Sequence, residues 1–232
     1  MIGIYFVEPI GSGEVDAVSA KFDLHYPHHQ DVENLNVAVE LQAGQNESAK
    51  AKVESEKGHR RSSTDMTELL VLWRSAFVVS QLAPYPGWDT FSKRFLRDWK
   101  VWKRNTGFRQ IVRVGVRFIN RIDIPAPWTV VEHETYLNVY PRLPNLFGPL
   151  DAYAVQVVVT VPDIGCQLTL NSAMVPSPIL GHLSFLIDQD IAMNTNPPQS
   201  DDAIIELLNQ IRLAKNKVFE SCITDRARAL FQ

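Results

Sequence analysis

Apolar and polar positions alternate through much of this chain, a pattern typical of strands with one buried face. Between Asn34 and Gln42, for example, leucine and valine take every second position. The stretches after residue 150 repeat this alternation, and the turn sequence PDIG separates the first two of them. The pattern predicts strands at residues 2–8, 34–42, two within 68–82 with a reversal near Ser75, 113–123, 152–162, 165–174 and 182–193.

Two further segments space their apolar positions as helices do. Five aromatic residues recur at intervals of 3, 4, 4 and 3, which places them on one stripe of a helix: Trp88, Phe91, Phe95, Trp99 and Trp102. Lysines and arginines take the remaining surface of this aromatic-rich helix. From residue 201 to residue 223 the apolar positions also keep helical spacing, which predicts a long C-terminal helix.

This order of elements predicts an α+β fold, because half-polar strands do not suit a parallel sheet that is buried on both faces. We expect a single domain over residues 1–232, with a curved antiparallel sheet of about seven strands. The aromatic-rich helix and the C-terminal helix would pack on its apolar face. Residues 43–66 are the most polar part of the chain and predict either a loop or an edge hairpin with a turn near Gly58.

Composition narrows the class of protein. The chain has 232 residues, of which 45% are hydrophobic, and a net charge of -3. This balance argues against a dedicated duplex-DNA binder. Two cysteines are too few for a disulfide framework, and no positive charge precedes the short apolar run at the N-terminus. We therefore expect a cytoplasmic protein with no membrane segment and no cofactor.

The most unusual segment is RVGVRFINRID, which begins at Arg113. As a strand it places Arg113, Arg117 and Arg121 on one face, with Gly115 between the first two. Glycine inside a strand often marks close approach of a ligand or of another chain. Asn120 lies on the apolar face and needs a hydrogen-bond partner if buried. These five residues form our candidate anion- or partner-binding site.

A pair of aspartates lies on the same side of the predicted sheet. Asp188 and Asp190 share one face of their strand, opposite Leu183, Phe185 and Ile187. If both strands turn their apolar faces to one core, the aspartates project beside the arginines. One interpretation is an Arg–Asp ion-pair network, which we favour because structural ion pairs are commoner than sites. The other is an anion site in which the two aspartates hold a divalent metal ion.

The other candidate clusters are weaker. His25, His28 and His29 lie near Asp31, but HYPHH lacks the regular ligand spacing of a zinc site and predicts surface histidines. The basic surface of the aromatic-rich helix suits single-stranded nucleic acid, although aromatics on one helical stripe favour a core role. Both cysteines fall on apolar stripes and are interpreted as packing residues.

Four motifs resemble those of a sporadically distributed family of uncharacterised bacterial proteins. They cover roughly residues 84–231, and the resemblance implies no particular activity. Because such patchy distribution fits phage-defence or toxin–antitoxin neighbourhoods, it suggests an association with one of those systems. The motifs are PYPGWDTF (84–91), RVGVRFINRID (113–123), LIDQD (186–190) and FESCITDRARALF (219–231).

Together these features predict a non-enzymatic bacterial interaction or ligand-sensing protein that uses the charged sheet face. Its partner would be another protein or a second copy of the chain, and a small anionic ligand is the next choice. One alternative is a metal-dependent enzyme acting on phosphorylated or nucleotide substrates, although the glutamates and lysines that such sites carry along their strands are missing. A second alternative is a single-stranded nucleic-acid binder.

Overall fold

A computed structural model describes residues 1–42, 48–126, 132–144 and 150–231, with the backbone alone for residues 36–42 and 48–54. The chain divides into two compact units, Met1–Val112 and Arg113–Gln232. The described residues contain nine strands and four α-helices, and every strand pairing given below is antiparallel. The predicted α+β class with antiparallel sheet is thereby confirmed, whereas the single domain over 1–232 stays a prediction.

The first unit has five strands in the order β2-β3-β4-β5-β1 and two α-helices. A single 3₁₀ turn, Ala20–Phe22, follows the first helix. The elements are β1 (Ile2–Phe6), α1 (Ser12–Ser19), β2 (His28–Gln42), β3 (Ser48–Ser62), β4 (Glu68–Trp73), β5 (Ala76–Gln81) and α2 (Trp88–Thr106).

The second unit has four strands in the order β6-β9-β8-β7, followed by two helices. Its first strand starts two residues before the unit boundary. The elements are β6 (Ile111–Pro125), β7 (Ala154–Val161), β8 (Cys166–Val175), β9 (His182–Met193), α3 (Asp201–Cys222) and α4 (Asp225–Arg228).

The aromatic stripe of α2 forms the core of the first unit, as predicted. All five of its aromatic side chains are buried. Trp102 stacks on Phe6 of β1 and on Trp99, with ring centroids 4.4 Å and 5.1 Å apart. Phe77 of β5 packs at a tilt against both tryptophans. The spacing of apolar residues in α2 therefore indicates which side of the helix faces the sheet.

In the second unit, α3 packs on β9 and buries the residues that its spacing marked as apolar. These are Ile204, Leu207, Leu208 and Ile211. Lys215 of the same helix places its ammonium group 4.3 Å from the ring of Phe118, on the apolar face of β6. After α3 the chain turns, and the hydroxyl of Thr224 accepts a hydrogen bond from the amide of Ala227 at 3.3 Å, which caps α4.

About seven strands were predicted and nine are described, chiefly because β3 is polar and shows no apolar alternation. Residues 48–62 form one continuous strand paired with β2, so Gly58 lies within a strand and does not mark a turn. A Cβ atom at Gly58 would lie 2.5 Å from the carbonyl oxygen of Leu72 and 2.5 Å from the ring of Trp73. Glycine is required there because β4 passes too close for any side chain. Residues 43–47, also part of the predicted loop or hairpin, lie outside the described residues.

Strands β2 and β3 together form a long ribbon. They pair from His28–Ser62 to Gln42–Ser48, whereas β4 pairs with β3 only over Gly58–Ser62. Ten residue pairs, from Glu33–Lys57 to Gln42–Ser48, thus extend beyond the part of β3 that β4 covers.

In the described part of the chain, no helix is both long enough and apolar enough to cross a membrane.

Candidate functional site

The arginine strand and the aspartate strand are neighbours in the second unit. In the β6–β9 register Arg117 faces Asp190, and Ile119 faces Asp188. Arg113 and Arg117 each donate to an aspartate of β9 that is not the residue directly opposite in the register. Arg113 donates through Nη2 to both carboxylate oxygens of Asp190 at 2.7 Å. Arg117 holds Asp188 with two parallel bonds, from Nε at 2.8 Å and from Nη2 at 2.7 Å. The four side chains that alternation placed on one side of the sheet therefore meet there.

The hydrogen bonds continue across the whole sheet of this unit. Asn171 of β8 donates to Asp188 at 3.1 Å, and Gln156 of β7 donates to Asn171 at 2.8 Å. A polar chain from Arg117 to Gln156 thus links all four strands. We call this set of side chains, together with Arg113 and Asp190, the charged row.

The remaining residues of the predicted site lie around this row. Arg121 pairs with Asp123, and the hydrogen bond from Ser184, followed by that from Arg121, lowers the pKa of the Asp123 carboxyl. Asn120 donates to the carbonyl oxygen of Ile187 at 3.4 Å, so it has the partner that its position requires.

Gly115 lies beneath the side chain of Arg113. A Cβ atom there would lie 2.8 Å from the Cβ of Ala192 and 3.1 Å from the guanidinium carbon of Arg113. The guanidinium group itself occupies the space above the glycine. Gly115 therefore provides room for the Arg113–Asp190 pair.

This geometry defines what the charged row can do. Both aspartates accept from arginine, so a cation at Asp188 or Asp190 would have to compete with a guanidinium group. An anion at Arg113 or Arg117 would likewise have to displace a carboxylate. The metal and anion hypotheses stay predictions, and each requires an ion pair to open.

The Arg117–Asp188 pair permits a direct test of the coupling within the row. We expect a double-mutant cycle of Arg117→Ala and Asp188→Ala to give a coupling free energy of about 1 kcal/mol, measured by denaturant unfolding. The value is small because 42% of the Arg117 side chain is exposed, so solvent screens the pair. The Arg121–Asp123 pair, more exposed at the aspartate, serves as the control and should couple less. Equal coupling in both pairs would contradict a specific role for the row.

Sequence reasoning missed a second cluster, in the first unit. Strand pairing sets Asp31 of β2 opposite His59 of β3, and His29 lies two residues from Asp31 on the same strand face. His29 Nε2 lies 2.9 Å from His59 Nδ1 and 3.2 Å from Asp31 Oδ1, and His59 Nδ1 lies 3.0 Å from the same oxygen. We call His29, Asp31 and His59 the histidine cluster. The prediction of surface histidines considered only HYPHH and the nearby Asp31, and the further member of the cluster lies on β3.

Helix α1 adds a carboxylate to this cluster. Asp16 Oδ1 lies 2.6 Å from His59 Nε2, on the side of the ring away from the other two members. His59 is mostly buried, with 15% of its side chain exposed, whereas Asp31 is exposed at 82%. Beside them lies a cavity of about 480 Å3 whose lining includes Asp16, Asp31, His59, Lys57 and Arg74.

The basic surface of α2 is present, but its aromatic residues are not available to stack on bases. Lys93, Arg97, Lys100 and Arg104 line a shallow groove of about 490 Å3. The aromatic stripe faces the protein core. Arg94, expected on the exposed surface, is instead buried, and Arg97 bonds Asp98 at 2.7 Å. This arrangement lacks the stacking platform of single-strand binders.

Neither cysteine is placed to act as a nucleophile. Cys166 and Cys222 are buried and free of disulfides, and burial raises the pKa of each thiol to about 11. Both would therefore be protonated near neutral pH, which fits the predicted packing role.

Comparison of the chain with protein-family models, with curated proteins and with solved structures found no match.

Proposed function

We propose that this protein is a non-enzymatic interaction protein whose second unit pairs with a second copy of the chain through the edge strand β7. The observation that carries the proposal is the exposure of three consecutive valines on that strand. Val157, Val158 and Val159 are exposed at 38%, 53% and 45%. Since successive side chains of a strand point to opposite faces, apolar surface is open on both faces of β7.

The sequence of β7 supports this proposal. β7 ends the strand order of its unit, so among the described strands only β8 pairs with it there. Exposed edge strands normally carry charges or prolines that prevent pairing with other chains, and AVQVVVTV contains neither. An antiparallel pair of identical edges is self-complementary, which is why a second copy suits this edge.

The charged row supports a binding role and argues against catalysis by the same residues. Its arginines and aspartates are held to one another, and the row reaches β7 through Gln156. In a paired dimer, two such rows would join into one polar face across the new strand pair. Membership of a phage-defence or toxin–antitoxin system stays a prediction that rests on the resemblance alone.

Size measurement tests the proposal. We expect light scattering coupled to gel filtration to give a dimer for the full chain, and Val158→Lys to give a monomer. In an antiparallel pair centred at residue 158, this substitution places two positive charges opposite each other. The control is Leu180→Lys, at a fully exposed leucine in the turn before β9, which should remain dimeric.

A wild-type chain that stays monomeric at high micromolar concentration would overturn the proposal. So would a dimer that Val158→Lys leaves intact, because the contact would then lie elsewhere.

A further inference from the structure

We propose that the histidine cluster is a binding site for a zinc-class divalent metal ion, with His29, Asp31 and His59 as ligands and Asp16 as the residue that orients His59. This inference is independent of the proposed dimer, because every residue in it lies in the first unit.

The three ligand atoms form a triangle of suitable size. Its edges are 2.9, 3.0 and 3.2 Å, between His29 Nε2, His59 Nδ1 and Asp31 Oδ1. An ion at the usual zinc distance of about 2.0–2.1 Å from each atom would sit about 1 Å above the plane of such a triangle. The side chains therefore need no large movement to coordinate one ion together.

The orientation of the ligand atoms also suits a cation. A carboxylate can only accept, so the contact between Asp16 and His59 requires a proton on His59 Nε2. In neutral His59 this leaves a lone pair on Nδ1, which faces the carboxylate oxygen of Asp31 at 3.0 Å. Two acceptors at this distance repel each other unless a donor or a cation lies beside both. An N–H at His29 Nε2, which lies 2.9 Å from His59 Nδ1 and 3.2 Å from Asp31 Oδ1, is the rival to a metal ion in that place.

Asp16 completes an arrangement that is common at zinc sites. Metal-bound histidines usually donate their other ring N–H to a carboxylate, which fixes the tautomer and raises the basicity of the ligand nitrogen. Here the 2.6 Å contact of His59 Nε2 with Asp16 meets that description. Two imidazoles and one carboxylate are also a donor set that zinc and related ions prefer.

The ligand count implies an open coordination position. Three protein ligands leave a fourth place on a tetrahedral ion for water or a small anion. The cavity beside Asp31 and His59 is lined by both signs of charge, with Lys57, Arg74 and Glu33 among its residues. The site thus resembles an open, exchangeable zinc site and not a closed structural one.

Metal titration of the untagged full chain tests the site. We expect zinc to bind at one equivalent per chain by calorimetry, and cobalt to give the visible absorption bands of a four-coordinate ion. His59→Ala should abolish both signals while leaving the circular dichroism spectrum unchanged. Asp16→Asn should keep the stoichiometry and weaken affinity by about 10- to 100-fold, as loss of an orienting carboxylate does.

His28→Ala is the matched control, because His28 lies next to His29 on β2 but faces Ser62 and is outside the cluster. It should bind zinc as the wild type does. The proposal is overturned if the wild type shows no saturable zinc binding at micromolar concentrations, which would leave hydrogen bonds from His29 as the link between the three residues. It is equally overturned if His59→Ala and His28→Ala bind zinc alike.

Discussion

Replacing Asp98 with alanine is expected to lower the free energy of unfolding by about 3–5 kcal/mol, measured by denaturant titration. Asp98 is fully buried on α2 and accepts hydrogen bonds from the Tyr26 hydroxyl and from Arg97. Arg94, itself buried, donates to the same hydroxyl at 3.0 Å. Removal of Asp98 would leave the Tyr26 hydroxyl without its acceptor and Arg94 with Glu68, 3.6 Å away, as its remaining carboxylate, and a weakly compensated buried charge is costly in a medium of low polarity.

The state of Tyr26 in this network is consistent with that expectation. Burial, and then the negative charge of Asp98, raise the pKa of the Tyr26 phenol well above its usual range. The phenol therefore stays protonated and donates to Asp98 while it accepts from Arg94. Tyr26→Phe, which removes the hydroxyl and keeps the charges, should cost only about 1–3 kcal/mol.

Two further variants separate charge from shape. Asp98→Asn keeps the size of the side chain but not its charge. It should still cause most of the loss in unfolding free energy expected for Asp98→Ala. The double variant Asp98→Leu with Arg94→Met removes both buried charges and should recover part of the loss. If Asp98→Ala costs less than about 1 kcal/mol, the network does not support the fold as described.

Truncation of Trp102 to alanine is the second large effect, with an expected loss of about 3–5 kcal/mol. The indole is 1% exposed and packs nearly parallel to the rings of both Phe6 and Trp99. Its removal loses buried apolar area and leaves a cavity that neighbouring rings cannot fill. Such a loss is a large share of the total stability of an ordinary domain.

Lys100→Ala is the control for this prediction, since Lys100 lies on the exposed side of α2. Its effect should stay within about 0.5 kcal/mol. If Trp102→Ala yields too little folded protein, Trp102→Phe provides a smaller truncation, with the thermal midpoint as the measurement. A control that destabilises as strongly as either tryptophan variant would contradict the assignment of the core to the aromatic stripe.

The two large effects show what the sequence reveals and what it does not. The aromatic stripe was predictable because its periodicity follows directly from the side of the helix that is buried. The burial of Arg94 and Asp98 was not, because both lie beside the stripe and become buried only when Tyr26 approaches. The sequence pattern assigns a charged residue at the margin of an apolar stripe to the exposed surface, whereas tertiary contacts can bury it.

The two candidate sites differ in the same way. Alternation within β6 and β9 placed Arg117 and Asp188 on one face without any knowledge of strand order. The histidine cluster depends on the register between β2 and β3, which sets Asp31 opposite His59. The polar residues of β3 give no apolar alternation from which that register can be read. Strand β3, which the sequence pattern did not predict as one strand, thus carries His59, the residue that completes the cluster.

The β2–β3 ribbon has an energetic consequence of its own. Among the described strands, β2 and β3 pair only with each other over the ten outer residue pairs beyond Val32–Gly58, and isolated two-stranded ribbons are marginally stable in water. This arm can therefore open and close as a separate cooperative unit, without unfolding of the aromatic core. The histidine cluster spans both strands at the base of the arm, so whatever binds there sets how far an opening of the outer pairs can propagate.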